Sequence, residues 1–205
     1  MTPRTLLVAL IGLAAIWSAM LLLGTGPVDR SILLGVYAGD VPWLALAALG
    51  FTYLGNWPTL VAVTVLGAAY LWYRGHRRRA LILLIASFTG RGMVILEKLY
   101  FARLRPEENL RLAEVHYSSF PSGHSANSMI VYLGIALLVF DRDKHRRWAV
   151  AAALLLSFLI GSSRPMLGVH WPSDVVAGWS FGALWLLLVL AVGERLKPAG
   201  QRASS

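Results

Sequence analysis

Apolar residues in this chain come in blocks long enough to cross a membrane, separated by short polar stretches. A crossing helix needs roughly 20 predominantly apolar residues. The first block runs from Leu6 to Leu23, with Arg4 before it and Gly24-Thr25-Gly26-Pro27 closing it. It has the length of a signal peptide but no evident small-residue cleavage site, so it reads as a retained helix. Asp29 to Asp40 is amphipathic, with Ile32, Leu33, Leu34 and Val36 among polar residues, and too short to span. It reads as an interfacial segment. Val41 to Tyr73 is too long for one helix and is broken by Gly55-Asn56-Trp57-Pro58. Pro42 to Tyr53 is then an interfacial or re-entrant helix, and Trp57 to Tyr73 the second span. The third span runs from Ala80 to about Leu104, with Arg91, Glu97, Lys98 and Arg103 inside it or near its end. The fourth lies between Ala126 and Phe140, the fifth between Trp148 and about Ser162, and the sixth between Asp174 and about Val192. The pattern predicts an all-α integral membrane protein with six transmembrane helices and a short interfacial helical region between the first two. No repeat or long linker divides residues 1–205, so one domain is expected.

Composition agrees with this reading. Of the 205 residues 57% are hydrophobic and only 14% charged, where soluble domains carry about a quarter. The net charge of +9 does not point to nucleic acid, because the basic residues sit in short loops between apolar blocks. Arg4, the 74–79 loop, the 141–147 loop and the tail with Arg195, Lys197 and Arg202 fall on one side of a six-span layout. Lys and Arg in short loops mark the cytoplasmic side. Both termini are therefore expected in the cytoplasm, and the 105–120 and 163–173 loops outside. Counting Pro42 to Tyr53 as a seventh span would split the basic loops between the two sides. A compact chain with a basic cytoplasmic side fits a bacterial inner membrane. Cysteine is absent, which removes disulfides and thiolate metal sites.

Three polar clusters meet the outer side. In the first, Lys98 and Arg105-Pro106 are seven residues apart, so a helix continuing through Arg105 points both the same way. The second is Pro121-Ser122-Gly123-His124, where a Pro-led helix start offers a hydroxyl, backbone N–H groups and a partial positive charge to an anion such as phosphate. The third is Ser163-Arg164, then His170, then Asp174 four residues on. A carboxylate one helical turn from His170 can hold one ring nitrogen and leave the other free. Singly, each group has a plainer reading: snorkelling cations at a helix end, a Pro-Ser-Gly turn before a membrane helix, a satisfied interfacial pair. Together they place two histidines, three cations, a Ser-Gly turn and a carboxylate at one membrane depth, where ionisable groups usually mark a site. Lys98, Arg105, Arg164, Ser122 and Gly123 suit phosphate oxygens. His170, oriented by Asp174, suits a nucleophile that forms a phosphohistidine. His124 suits the acid that protonates the departing oxygen and then the base that activates water. Two proton-handling groups favour chemistry over binding alone.

These clusters resemble the signature of the type 2 phosphatidic acid phosphatase (PAP2) family: Lys-x6-Arg-Pro, Pro-Ser-Gly-His, and Ser-Arg-x5-His-x3-Asp. All three occur unsubstituted and in order between residues 98 and 174. The resemblance implies a phosphatase independent of metal or other cofactor. Its substrate would be a membrane lipid phosphate: phosphatidylglycerol phosphate, phosphatidic acid or undecaprenyl diphosphate. No obligate protein partner is implied. A phosphotransferase, a phosphatase with a soluble substrate, and a non-catalytic lipid-phosphate transporter or binding protein remain the alternatives. Arg91 lies outside the signature but seven residues before Lys98, and is expected to face the bundle interior below the phosphate site.

Overall fold

A computed structural model of the chain describes residues 2–140 and 144–196. The 141–143 part of the second basic loop, and Lys197 and Arg202 of the tail, lie outside the described residues. Among the described residues all regular structure is helical: α1 (Pro3–Leu23), α2 (Pro27–Val36), α3 (Pro42–Leu54), α4 (Trp57–Tyr73), α5 (Arg77–Phe101), α6 (Gly123–Ser128), α7 (Gly134–Val139), α8 (Lys144–Met166) and α9 (Pro172–Arg195). A single π turn, Met129–Leu133, joins α6 to α7, so Gly123–Val139 is one helical rod. Helices α1, α5, α8 and α9 are long and apolar enough to cross a membrane, and the bent pair α3–α4 gives a fifth candidate if taken as one span. By the same length and composition, the 17-residue rod Gly123–Val139 is shorter than these.

Proline sets several helix starts. Pro3, Pro27, Pro42, Pro58 and Pro172 each occupy the first or second helical position, where the missing N–H costs nothing. Pro121 does not act in this way. The helix after it begins at Gly123, and Ser122 is its N-cap, the hydroxyl accepting from the Ser125 N–H at 3.5 Å.

Helix α5 also ends earlier than its apolar pattern predicts. Ala102 takes the left-handed conformation (φ 45°) and returns its N–H to the Lys98 carbonyl. Lys98 is therefore on the helix and Arg105 is not, and the expected stripe through Arg91, Lys98 and Arg105 stops at Lys98. Arg105-Pro106 explains part of this, since a residue before proline avoids the helical region.

The core lies between α5, α9 and the Gly123–Val139 rod. Ala86, Ile130 and Leu186 pack together at one level, and Val94, Ala126 and Phe181 at another. Gly178 and Gly182 on α9 allow the rod to approach closely: a Cβ on either would lie about 2.5 Å from the Ser122 or Ala126 carbonyl oxygen. Small residues one turn apart commonly permit such contact between membrane helices. The approach also lets the Ser122 N–H donate to the Asp174 carbonyl at 2.9 Å. Helix α1 buries none of its own residues and packs along α9.

Candidate active site

The three polar clusters converge on one cavity of about 440 Å³. Its wall takes Lys98 and Arg91 from α5, Gly123 and His124 from α6, Arg164 from α8, His170 from the α8–α9 turn, Arg105 and Tyr117 from the outer loop, and Asn56 and Trp57 from the α3–α4 break. Of the residues expected to form the site, Lys98, Arg105, Gly123, His124, Arg164 and His170 line the cavity. Asp174 stands behind His170. Ser122 is fully buried and its hydroxyl is taken up in capping α6, so only the neighbouring backbone at Gly123 reaches the cavity.

His170 precedes α9, while Asp174 is in its first turn, so the pair meets across a helix start rather than along one helix. His170 Nδ1 lies 3.3 Å from Asp174 Oδ2. That oxygen also accepts from the Trp171 N–H at 3.0 Å and from the Ser119 hydroxyl. On the other side of the ring, Nε2 is 3.2 Å from Arg105 Nη1. A guanidinium can only donate. The network therefore assigns the proton to Nδ1, against the carboxylate, and a lone pair to Nε2. Burial holds His170 well below the usual histidine range, and the charges of Arg105, Lys98 and Arg164 act in the same direction.

Lys98 and Arg105 are held by backbone oxygens and Arg164 by a side-chain hydroxyl. Lys98 Nζ donates to the Ser118 and Ser119 carbonyls at 2.7 and 3.2 Å. Arg105 is fixed by the carbonyls of Tyr117 at 2.7 Å and Val169 at 2.5 Å. Burial brings Arg105 down to about 10, with Asp174 opposing this and Arg111 adding to it, so it stays charged at neutral pH. Arg164 is 4% exposed and donates to the Thr52 hydroxyl. Its Nε–H is buried without a partner among the described residues. An unpaired buried donor is costly, and an anion in the cavity would satisfy it. No group of three or more His, Asp or Glu with metal-holding geometry occurs among the described residues.

Several positioning groups were not visible as such in the sequence. Arg103 donates to Asp174 Oδ1 at 3.0 Å, the oxygen that His170 does not use, and to the Met20 and Leu21 carbonyls at the end of α1. It lies over the Phe120 ring, 4.2 Å from the centroid. Asp29 accepts from the Ser173 N–H at 2.8 Å and the Thr25 N–H at 2.8 Å, tying the α1–α2 turn to the start of α9. Asn56 Oδ1 holds His124 Nε2 at 2.8 Å. Ser119 adjoins the second motif in sequence, and the fold brings its hydroxyl to Asp174.

The profile of the PAP2 superfamily matches residues 79–198. The chain belongs to that superfamily. Phosphatidylglycerophosphatase B of Bacillus subtilis (strain 168) is 34% identical over 166 residues, covering 78% of this chain and 81% of that protein. The undecaprenyl-diphosphatase of Sulfolobus acidocaldarius is 28% identical, covering 62% of this chain and 65% of that protein. The crystal structure of the transmembrane PAP2-type phosphatidylglycerolphosphate phosphatase from Bacillus subtilis superposes with a TM-score of 0.84 at 29% identity, over 93% of this chain and 98% of that one. With its membrane-length helices, this makes the PAP2 chain an integral membrane protein.

Proposed function

We propose that this PAP2 protein is a lipid phosphate phosphatase that works through a phosphohistidine at the outer face of a bacterial cytoplasmic membrane. The observation that carries the reading is the state of His170: Nδ1–H turned to a buried carboxylate, and the Nε2 lone pair facing a cavity lined by Lys98, Arg105 and Arg164, where Arg105 holds it until a phosphate takes up that guanidinium. Those cations and the backbone N–H groups at Gly123 would hold the phosphate oxygens. Phosphoryl transfer needs chiefly such positioning and charge stabilisation. Nε2 attacks phosphorus as the bond to the lipid oxygen breaks, and His124 gives that oxygen its proton. Water then attacks the phosphorus, the P–N bond breaks, and His124 recovers a proton from the water. The products are inorganic phosphate and the lipid alcohol, or the lipid monophosphate when the substrate is a diphosphate. Asp174 stabilises the charge that His170 gains in the first step.

The six-span layout takes α4 and the Gly123–Val139 rod as spans beside the four long helices, within one domain. The outward orientation is supported by the fold's polarity. Arg77–Arg79 start α5, whereas the cavity lies at its other half. Arg78 donates to the Gly193 carbonyl and Arg79 to the Leu138 carbonyl, so the ends of α7 and α9 share the basic side. Both termini are then cytoplasmic. The test is phosphate release in detergent from undecaprenyl diphosphate, phosphatidylglycerol phosphate and phosphatidic acid, with chelator and without any acceptor. Release from at least one is expected. Transfer only to an added alcohol, or activity that requires restored magnesium, would overturn the reading.

A further inference from the structure

Arg91 lines the same cavity as Lys98, Arg105 and Arg164, yet no step above uses it. It lies two helical turns before Lys98 on α5, about 10 Å along the axis toward the basic start of that helix. A cation is costly to leave facing lipid within a span. Among the described residues no carboxylate lies within ion-pair distance of it. Its guanidinium instead sits over the Trp57 ring, 3.8 Å from the centroid. A ring face holds the charge without taking up its hydrogen-bond donors.

The two histidines give this position a direction. In-line displacement puts the nucleophile and the leaving oxygen on opposite sides of phosphorus. The leaving oxygen is on the His124 side. His124 is held by Asn56, the next residue is Trp57, and Trp57 carries Arg91. Asn56, Trp57, His124 and Arg91 all line the cavity, so the Arg91 guanidinium is linked to the His124 side of it through the α3–α4 break. A group beyond the scissile oxygen on that side would come within the part of the cavity that Arg91 lines.

We infer that Arg91, seated on Trp57, is a second anion subsite that takes a phosphate on the leaving-group side of the substrate. That phosphate is either the lipid-linked phosphate of a diphosphate or the phosphodiester of a headgroup ending in a phosphomonoester. Both present oxygens suited to a guanidinium fork. The subsite makes the enzyme select headgroups with two phosphates over those with one. This rests on the reading of the cavity as a lipid phosphatase site.

The test uses the full chain in detergent with farnesyl diphosphate, dioctanoyl phosphatidylglycerol phosphate and dioctanoyl phosphatidic acid. Arg91→Met should lower kcat/KM at least tenfold, through KM, for one or both two-phosphate lipids. The loss for phosphatidic acid should be at least fivefold smaller. Arg91→Gln carries the same expectation, and Arg91→Lys should recover part of the preference. The two-phosphate lipid that suffers identifies the phosphate recognised. Equal losses on all three lipids, or none on any, overturn the inference. A binding arm in the His170→Ala background compares farnesyl diphosphate with farnesyl monophosphate by tryptophan fluorescence. Adding Arg91→Met should cut the diphosphate preference at least tenfold, and an unchanged preference overturns the inference. If the wild-type chain releases no phosphate from any lipid, the phosphatase reading fails while the binding ratio still decides the role of Arg91.

Discussion

Replacing Arg103 by methionine tests how the structure supports its buried carboxylate. Arg103 and Asp174 form an ion pair at 3.0 Å, with side chains 10% and 0% exposed. The same guanidinium binds the Met20 and Leu21 carbonyls at 3.0 and 2.6 Å. Methionine fills similar space but leaves the Asp174 charge facing an apolar group. Removing one partner of a buried pair costs about 3–5 kcal/mol, mostly because the other charge stays buried. For a chain of this size each kcal/mol moves the melting temperature by about 2–4 °C, so a drop of about 6–20 °C is expected. Catalysis should change in a way that a purely structural role does not predict. Without the guanidinium, Asp174 pulls more strongly on the His170 proton, so the acidic limb of kcat/KM should move to higher pH. The assays are a thermal melt in detergent and a pH–rate profile, each also run on Asp174→Asn and on the double variant. The two losses should be markedly non-additive, since one interaction is removed twice. A melting temperature within about 2 °C of wild type, or additive losses, would refute the reasoning.

Three further expectations come from the site and its orientation. Burial and three nearby cations hold His170 below its ordinary value, so it is neutral at pH 7 and gains its proton only at a lower pH. After correction for substrate ionisation, the acidic limb of kcat/KM that reports His170 should lie below about pH 6.5; an acidic limb with its midpoint at or above about pH 6.5 contradicts this. The unfolded chain binds this proton first as pH falls, so acid should also lower stability through the same window. The chain has no cysteine, so single cysteines at Glu108 and Arg78 report topology. An impermeant thiol reagent on intact spheroplasts should label position 108 and spare 78, and the reverse pattern would invert the orientation.

Much of the architecture is written in local patterns. The expected Trp57–Tyr73 helix has those bounds in the structure, because an apolar run between a Gly-Asn break and a basic turn leaves little freedom. The three motifs reach one cavity because each sits where its helix or turn meets the same end of the bundle. What escaped the sequence depends on tertiary contact. Ala102 ends α5 in a left-handed conformation with no glycine or asparagine to announce it, so Arg105 approaches His170 from a loop. Ser122 reads as a phosphate ligand until the rod packs so closely on α9 that its hydroxyl is enclosed. Arg103 looks like one more cation at a helix end, and its meaning comes from Asp174, 71 residues away. Asn56 looks like a helix break, and the same break carries it to His124. Arg91 was expected to face inward, and the Trp57 ring over which it sits belongs to that break.

The claim that joins all these observations is that His170 becomes covalently phosphorylated. The direct measurement is to incubate His124→Ala, which lacks the base for the second step, with a lipid diphosphate carrying radioactive phosphorus at the scissile phosphate, whose phosphate leaving group needs little of the acid help the variant also lacks, and to quench in alkali. The label should stay on the protein, map to the peptide containing His170, be lost in acid, and be absent from His124→Ala/His170→Ala. Phosphate release without any trapped label, or a label stable to acid and retained when His170 is removed, would contradict the account.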